Sequence, residues 1–284
     1  MAIQKTATRL VVSSLVLLLA SGGCTVPRPG SKVVAAGDRV TLHYRCYLPN
    51  GELAATTLKD SLLDSRTPKS AIYLPKKNDA PVTLVAGDTA LSGSPEAPSL
   101  EEMDMENLIP VKIAGLLPGI GPDGEVTRQI GAARKPAKPN NDYTLSLNKV
   151  RHRPQVMKMT PQAFRARTGK EPEIGAEFIL DPLIPGTVAA LSEKEVVVHF
   201  LSEEGKRAEL PFGPAVIHDV PPYWEIRIDP QIGRLVRTGP MVGRVAEVKK
   251  RSFVIDYGHP FGGETLSCEI QILNIEEGAK AHGE

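Results

Sequence analysis

Apolar and polar residues alternate with a period of two from Val40 to Leu48, placing Val40, Leu42, Tyr44 and Cys46 on one face of a strand. Asn50-Gly51 follows and supplies a hairpin turn. The other clean alternation lies near the end, at Leu266–Ile275, where Leu266, Cys268, Ile270 and Ile272 form the apolar face. Between them a strand is predicted at Pro81–Val85, a loop at Ser92–Ser99, and an apolar stretch at Leu108–Leu117 that stops at Pro118-Gly119. Further strands are expected at Gly124–Ile130 and Tyr143–Val150. Thr160 followed by Pro161 starts a short helix, with threonine as cap and proline in the first turn. Strands and turns then continue to about residue 267. With 25 glycines, 25 prolines and 5% aromatic residues, helix-period runs are scarce and turns many, so the chain is α+β and mainly β.

One pattern recurs inside this β-rich stretch. Gly186-Thr187-Val188-Ala189 and Val196–Phe200 match Gly243-Arg244-Val245-Ala246 and Phe253–Tyr257 at a constant offset, and Gly205 falls on Gly262 at the same offset. Ile174-Gly175 pairs with Ile232-Gly233 at nearly that spacing. A β-hairpin unit is therefore expected twice, and two copies are too few for a solenoid, so they should pack into one small barrel or sheet.

The chain opens with Lys5 and Arg9, an apolar run from Leu10 to Ala20, then Ser21-Gly22-Gly23-Cys24. The apolar run is short for a membrane span and suits a cleaved signal over residues 1–23. Ala20–Cys24 resembles the lipobox of bacterial lipoproteins, although Ser21 stands where a large aliphatic residue is usual. That resemblance implies acylation of Cys24, a short lipid tether over 24–36, and an extracytoplasmic, lipid-anchored location. Thr25 after the cysteine favours the outer membrane, where the host has one. The remainder is long enough for two small domains, and its formal net charge of +1 provides no field to draw nucleic acid. Cys46 and Cys268 lie in strands without metal-ligand spacing, as a disulfide or as two buried thiols.

Three segments, in order, resemble the FKBP-type prolyl isomerases. Val40–Tyr44 with Asn50-Gly51 is similar to their opening strand and hairpin. Ile109–Gly119 with Gly124–Ile130 resembles their passage from helix to strand. The most specific is Asp256-Tyr257-Gly258-His259-Pro260-Phe261-Gly262-Gly263-Glu264-Thr265-Leu266, which resembles the Asp-x-Asn-His-Pro-Leu-Ala-Gly signature of SlyD-type members. In that subfamily an insert-in-flap chaperone domain interrupts the FKBP fold, and Val156–Phe178 resembles its start. The resemblance implies an FKBP-like antiparallel sheet packed on a short helix, built from residues 33–153 and 267–277. A small inserted β-domain over 154–266 carries the duplicated hairpin.

Prolyl isomerisation needs no nucleophile. It needs a dry apolar hollow, because the twisted imide is less dipolar than the planar one. The resemblance places Tyr44, Leu53 and Ile113 around that hollow, while Tyr44 and Ile113 are equally suited to be plain core. The family's acidic pocket residue falls on Ala55, and its Ala-Tyr-Gly motif is replaced by Gly131-Ala132-Ala133-Arg134. His259 is expected to close a turn rather than to catalyse. With a single histidine, His282, in the tail, no metal or other cofactor is expected. The insert's clients would be proline-containing or unfolded polypeptides. Tyr223 and Trp224 are candidates for client contact, with a core anchor the alternative for Trp224. Two functions follow as expectations. One is a membrane-tethered isomerase and folding helper for exported proteins; the other is a non-catalytic peptide-binding or adaptor lipoprotein on the same fold.

Overall fold

The computed structural model describes residues 32–89, 103–121, 125–136 and 143–278. In chain order the first elements are β1 (Arg39–Tyr47), β2 (Leu53–Thr56), β3 (Val82–Val85), α1 (Met105–Ala114) and β4 (Glu125–Ile130). Then come β5 (Thr144–Asn148), β6 (Val150–Pro154), β7 (Val156–Met159) and α2 (Pro161–Thr168). The meander that follows comprises β8 (Glu177–Asp181), β9 (Ile184–Leu191), β10 (Val196–Phe200), β11 (Arg207–Leu210), β12 (Gly213–Val220), β13 (Tyr223–Ile228), β14 (Leu235–Thr238), β15 (Met241–Val248) and β16 (Ser252–Asp256). The chain returns in β17 (Leu266–Glu276). The protein is mainly β with antiparallel pairing throughout the named strands.

The first unit is one five-stranded sheet in the order β2-β1-β17-β4, with β3 also pairing β1. Alternation decides its faces: Val40, Leu42, Tyr44 and Cys46 all point into the core, as do Leu266, Cys268 and Ile270 from the strand beside them. Helix α1 covers that face with Met105, Leu108, Ile109, Val111 and Ile113. Asp104 caps it by accepting the Asn107 amide at 2.9 Å. Cys46 and Cys268 stand directly opposite each other in the β1/β17 ladder and form a disulfide. The two thiols left undecided by the sequence are thus one cross-link.

Strands β5 and β6 leave this sheet. The resemblance assigned residues 143–153 to the first domain, but β5 pairs β16 and β6 pairs β13. The first unit therefore stops near Lys135. The physical reason is that residues 144–159 form an almost continuous extended run whose backbone groups are satisfied by the last strand of each hairpin in the meander.

That run reveals a third copy. Three sheets have the orders β8-β9-β10-β7, β11-β12-β13-β6 and β14-β15-β16-β5. Each is a three-strand meander completed by a strand of the 144–159 run, taken in reverse order. The same backbone bonds recur in every copy: Gly175 N to Val188 O, Gly205 N to Ile217 O and Gly233 N to Val245 O, at 2.9, 2.8 and 2.8 Å. These three glycines have φ of 86°, 74° and 84°, a region that excludes ordinary side chains, which is why glycine persists there. The expected duplication is a triplication, and the offset seen in the sequence spans two repeats. All three copies share one core, with Val188, Ile217, Val245 and Val198, Ile226, Ile255 at matching places.

A size rule links facing residues within each copy. A Cβ on Gly186 would sit 2.7 Å from the Phe200 ring, and one on Gly243 would sit 2.7 Å from that of Tyr257. In the middle copy Ala215 faces Ile228, with no aromatic ring to accommodate. Helix α2 begins as predicted: Thr160 Oγ1 accepts the Ala163 amide at 3.2 Å.

Candidate binding cleft

The side chains assigned to a proline hollow do not enclose one. Tyr44 is 6% exposed, and Leu53 and Ile113 are 0% exposed. Tyr44 and Ile113 share the first unit's core with Ala55, while Leu53 lies outside that cluster. Phe261 and Val242, both from the third copy, complete the same core, and Leu235 packs against it. Among the described residues Tyr44 and Ile113 are therefore core, in a cluster that the second unit extends. Burial, reinforced by the nearby Glu106 carboxylate, raises the Tyr44 hydroxyl well above the usual phenol range.

An ion pair fixes this junction. The Arg237 guanidinium on β14 donates to Glu106 Oε1 and Oε2 at 2.9 and 2.7 Å, and to the Ile72 carbonyl at 2.7 Å. Its side chain is 6% exposed, so the bidentate pair works largely away from water. Residues 131–135, where the family motif is replaced, also tie the units. Arg134 pairs with Asp256, and the Lys135 amide donates to the Gly258 carbonyl at 2.7 Å.

Beside the junction lies an open cleft of about 540 Å³. The start of α1 backs one side with Met103 and Met105, both buried in the first core; on the other, Leu145 and Met241 are exposed beside the buried Tyr257 and Pro260. Met241 and Leu145 are 47% and 42% exposed, so apolar surface faces the opening. Lys135 holds its ammonium 5.5 Å from the centre of the Tyr143 ring at the rim, and Tyr257 shares a 2.9 Å hydrogen bond with Thr238. The exposed Met241 side chain can accommodate irregular apolar shapes. Chemically the cleft can desolvate and hold an apolar segment. Nothing in the sequence marked this cleft, because its walls are short pieces from five separated stretches of chain.

The remaining predicted residues fall as follows. Trp224 is 7% exposed and donates from Nε1 to the Phe200 carbonyl at 2.8 Å, so it is a core anchor and not a client contact. Its neighbour Tyr223 is 45% exposed, because successive residues of a strand point to opposite faces. His259 lies in the turn after β16, where its carbonyl accepts the Gly262 amide at 2.8 Å. Cys24 and His282 lie outside the described residues. Among the described residues no three His, Cys, Asp or Glu side chains are grouped to hold a metal, and no helix is long and apolar enough to cross a membrane. No family model matches the chain, and no curated protein is similar to it at a significant level.

Proposed function

We propose that this chain is an extracytoplasmic lipoprotein that holds extended apolar, proline-bearing polypeptide segments in the cleft between its units, without prolyl isomerase activity. The observation that carries the proposal is the contrast at the junction. Tyr44, Leu53 and Ile113 are buried, while the cleft nearby opens onto the exposed apolar side chains of Met241 and Leu145. An isomerase needs a dry apolar hollow that takes the prolyl imide out of water. A binder needs only an apolar groove with adaptable walls.

Export is supported by two independent features. The first 24 residues resemble a lipoprotein signal, and the Cys46–Cys268 bond belongs to oxidising compartments. The test is a paired assay on the full chain. Isomerisation of a proline tetrapeptide should proceed at its uncatalysed rate, while a fluorescein-labelled unfolded client should bind saturably. Acceleration of the tetrapeptide reaction would return the isomerase function to first place. Metabolic labelling with palmitate tests the anchor separately: incorporation should vanish in Cys24→Ser.

A further inference from the structure

A second hollow, of about 550 Å³, lies on the far corner of the third sheet, where the β15–β16 turn meets the junction of β5 and β6. Lys149, Arg227, Lys250 and Arg251 line it beside Asn148, with Ile228 as an apolar floor. Two backbone bonds bring these segments together: Lys149 N to Arg251 O at 3.0 Å and Ile228 N to Lys149 O at 2.8 Å. Arg227 is paired with Glu225, and the adjacent Lys249 with Glu247. Among the described residues Lys149, Lys250 and Arg251 form no ion pair, so three uncompensated cations face one concavity on a chain of net charge +1.

The internal repeat shows that the fold does not require them. The next copy makes the same two backbone bonds, Gln155 N to Pro222 O and Phe200 N to Gln155 O, at 3.0 and 2.8 Å. There the corner residues are glutamine and proline. Equivalent corners of one scaffold thus carry unrelated chemistry, and crowding like charges at only one of them costs energy through mutual repulsion. A ligand that neutralises them offsets that cost.

We propose that this corner binds a phosphate-bearing anion. A phosphoryl group presents several anionic oxygens to different directions at once and so suits two ammonium groups and a guanidinium fork converging from separate segments. A single carboxylate, with two coplanar oxygens, satisfies one arginine and leaves the rest unpaired. The group can belong to a free phosphorylated small molecule or to a phospholipid headgroup. The site is separate from the apolar cleft and does not depend on its function.

The experiment uses the full chain at low ionic strength. Calorimetric titration with inorganic tripolyphosphate tests the free form. Co-sedimentation with phosphatidylcholine vesicles, with and without phosphatidylglycerol, tests the headgroup. Lys149→Gln/Arg251→Gln should weaken tripolyphosphate binding at least tenfold, or abolish the phosphatidylglycerol-dependent part of vesicle binding, whichever source applies. Lys249→Gln removes one positive charge from the same turn but outside the hollow and should change neither. Should the double variant lose its thermal unfolding transition, Lys250→Gln on the exposed turn replaces it, with a severalfold loss expected. The proposal is overturned by no binding of either probe, by an equal effect of Lys249→Gln, or by citrate binding as tightly as tripolyphosphate.

Discussion

Single positions in the repeat obey a pairing rule: glycine where an aromatic ring faces it, alanine where isoleucine does. Gly186→Ala would place a methyl group 2.7 Å from both Phe200 and Val198. Overpacking of this kind costs about 1–3 kcal/mol. The same substitution in a Phe200→Ile background copies the middle repeat and should cost markedly less, a coupling that a urea-unfolding double-mutant cycle reads directly. Equal costs in both backgrounds would remove the rule. Arg237 is the second decisive residue. Replacing it with alanine strands the Glu106 carboxylate and the Ile72 carbonyl in a mostly buried place. The loss expected from urea unfolding is about 3 kcal/mol, within the range for one partner removed from a buried pair. Trp224→Phe, which deletes the bond to the Phe200 carbonyl and shrinks a buried ring, should cost about 1–3 kcal/mol.

At the scale of elements, the strands with clean alternation were legible in the sequence. β1 and β17 have one wet and one dry face, and their inward residues are the ones the period of two selects. The helix start at Thr160 was equally clear, since a cap is a local device. Pairing was not legible. Residues 144–159 alternate weakly because successive parts of one extended run serve three different sheets, and no local pattern states which partner each part meets. The disulfide joins neighbouring strands across 222 residues. In the chain-entropy picture, closing so long a loop is worth about 5 kcal/mol at most. A reducing agent should therefore lower the urea midpoint substantially, and an unchanged midpoint would show that the bond is not formed. In the loop before β3, Asp60 accepts Lys69 Nζ at 2.6 Å, the Tyr73 hydroxyl at 2.6 Å and the Lys76 amide at 2.7 Å, which lowers its pKa to about 2. Its folded pKa is depressed, so its contribution is complete above the ordinary carboxylate value near 3.8 and fades as pH falls through about 2. The stability difference between the parent and Asp60→Asn should thus be constant at neutral pH and shrink between pH 4 and 2.

At the scale of the whole molecule, a first sheet-and-helix unit carries a triplicated β unit whose third copy is built into the first unit's core. The sequence betrayed only the outer two copies. The middle one keeps its inward apolar positions, Ala215, Ile217, Ile226 and Ile228, but has lost the glycine and the aromatic residue that made the others alike. The proline hollow was inferred residue by residue from strand and helix positions. That Phe261 and Val242 join the same core could not be, because those side chains arrive from the far end of the meander. What the fold leaves open instead is the cleft beside Met241 and Leu145, and client capture there is the central claim. Fluorescence anisotropy of a labelled, permanently unfolded proline-rich polypeptide, titrated with the parent and with Met241→Glu/Leu145→Glu, tests it most directly. Both residues are exposed, so the charges are tolerated by the fold and felt by the ligand. The account predicts saturable binding to the parent and at least a tenfold weaker complex with the double variant. Identical titration curves for the two proteins would contradict it.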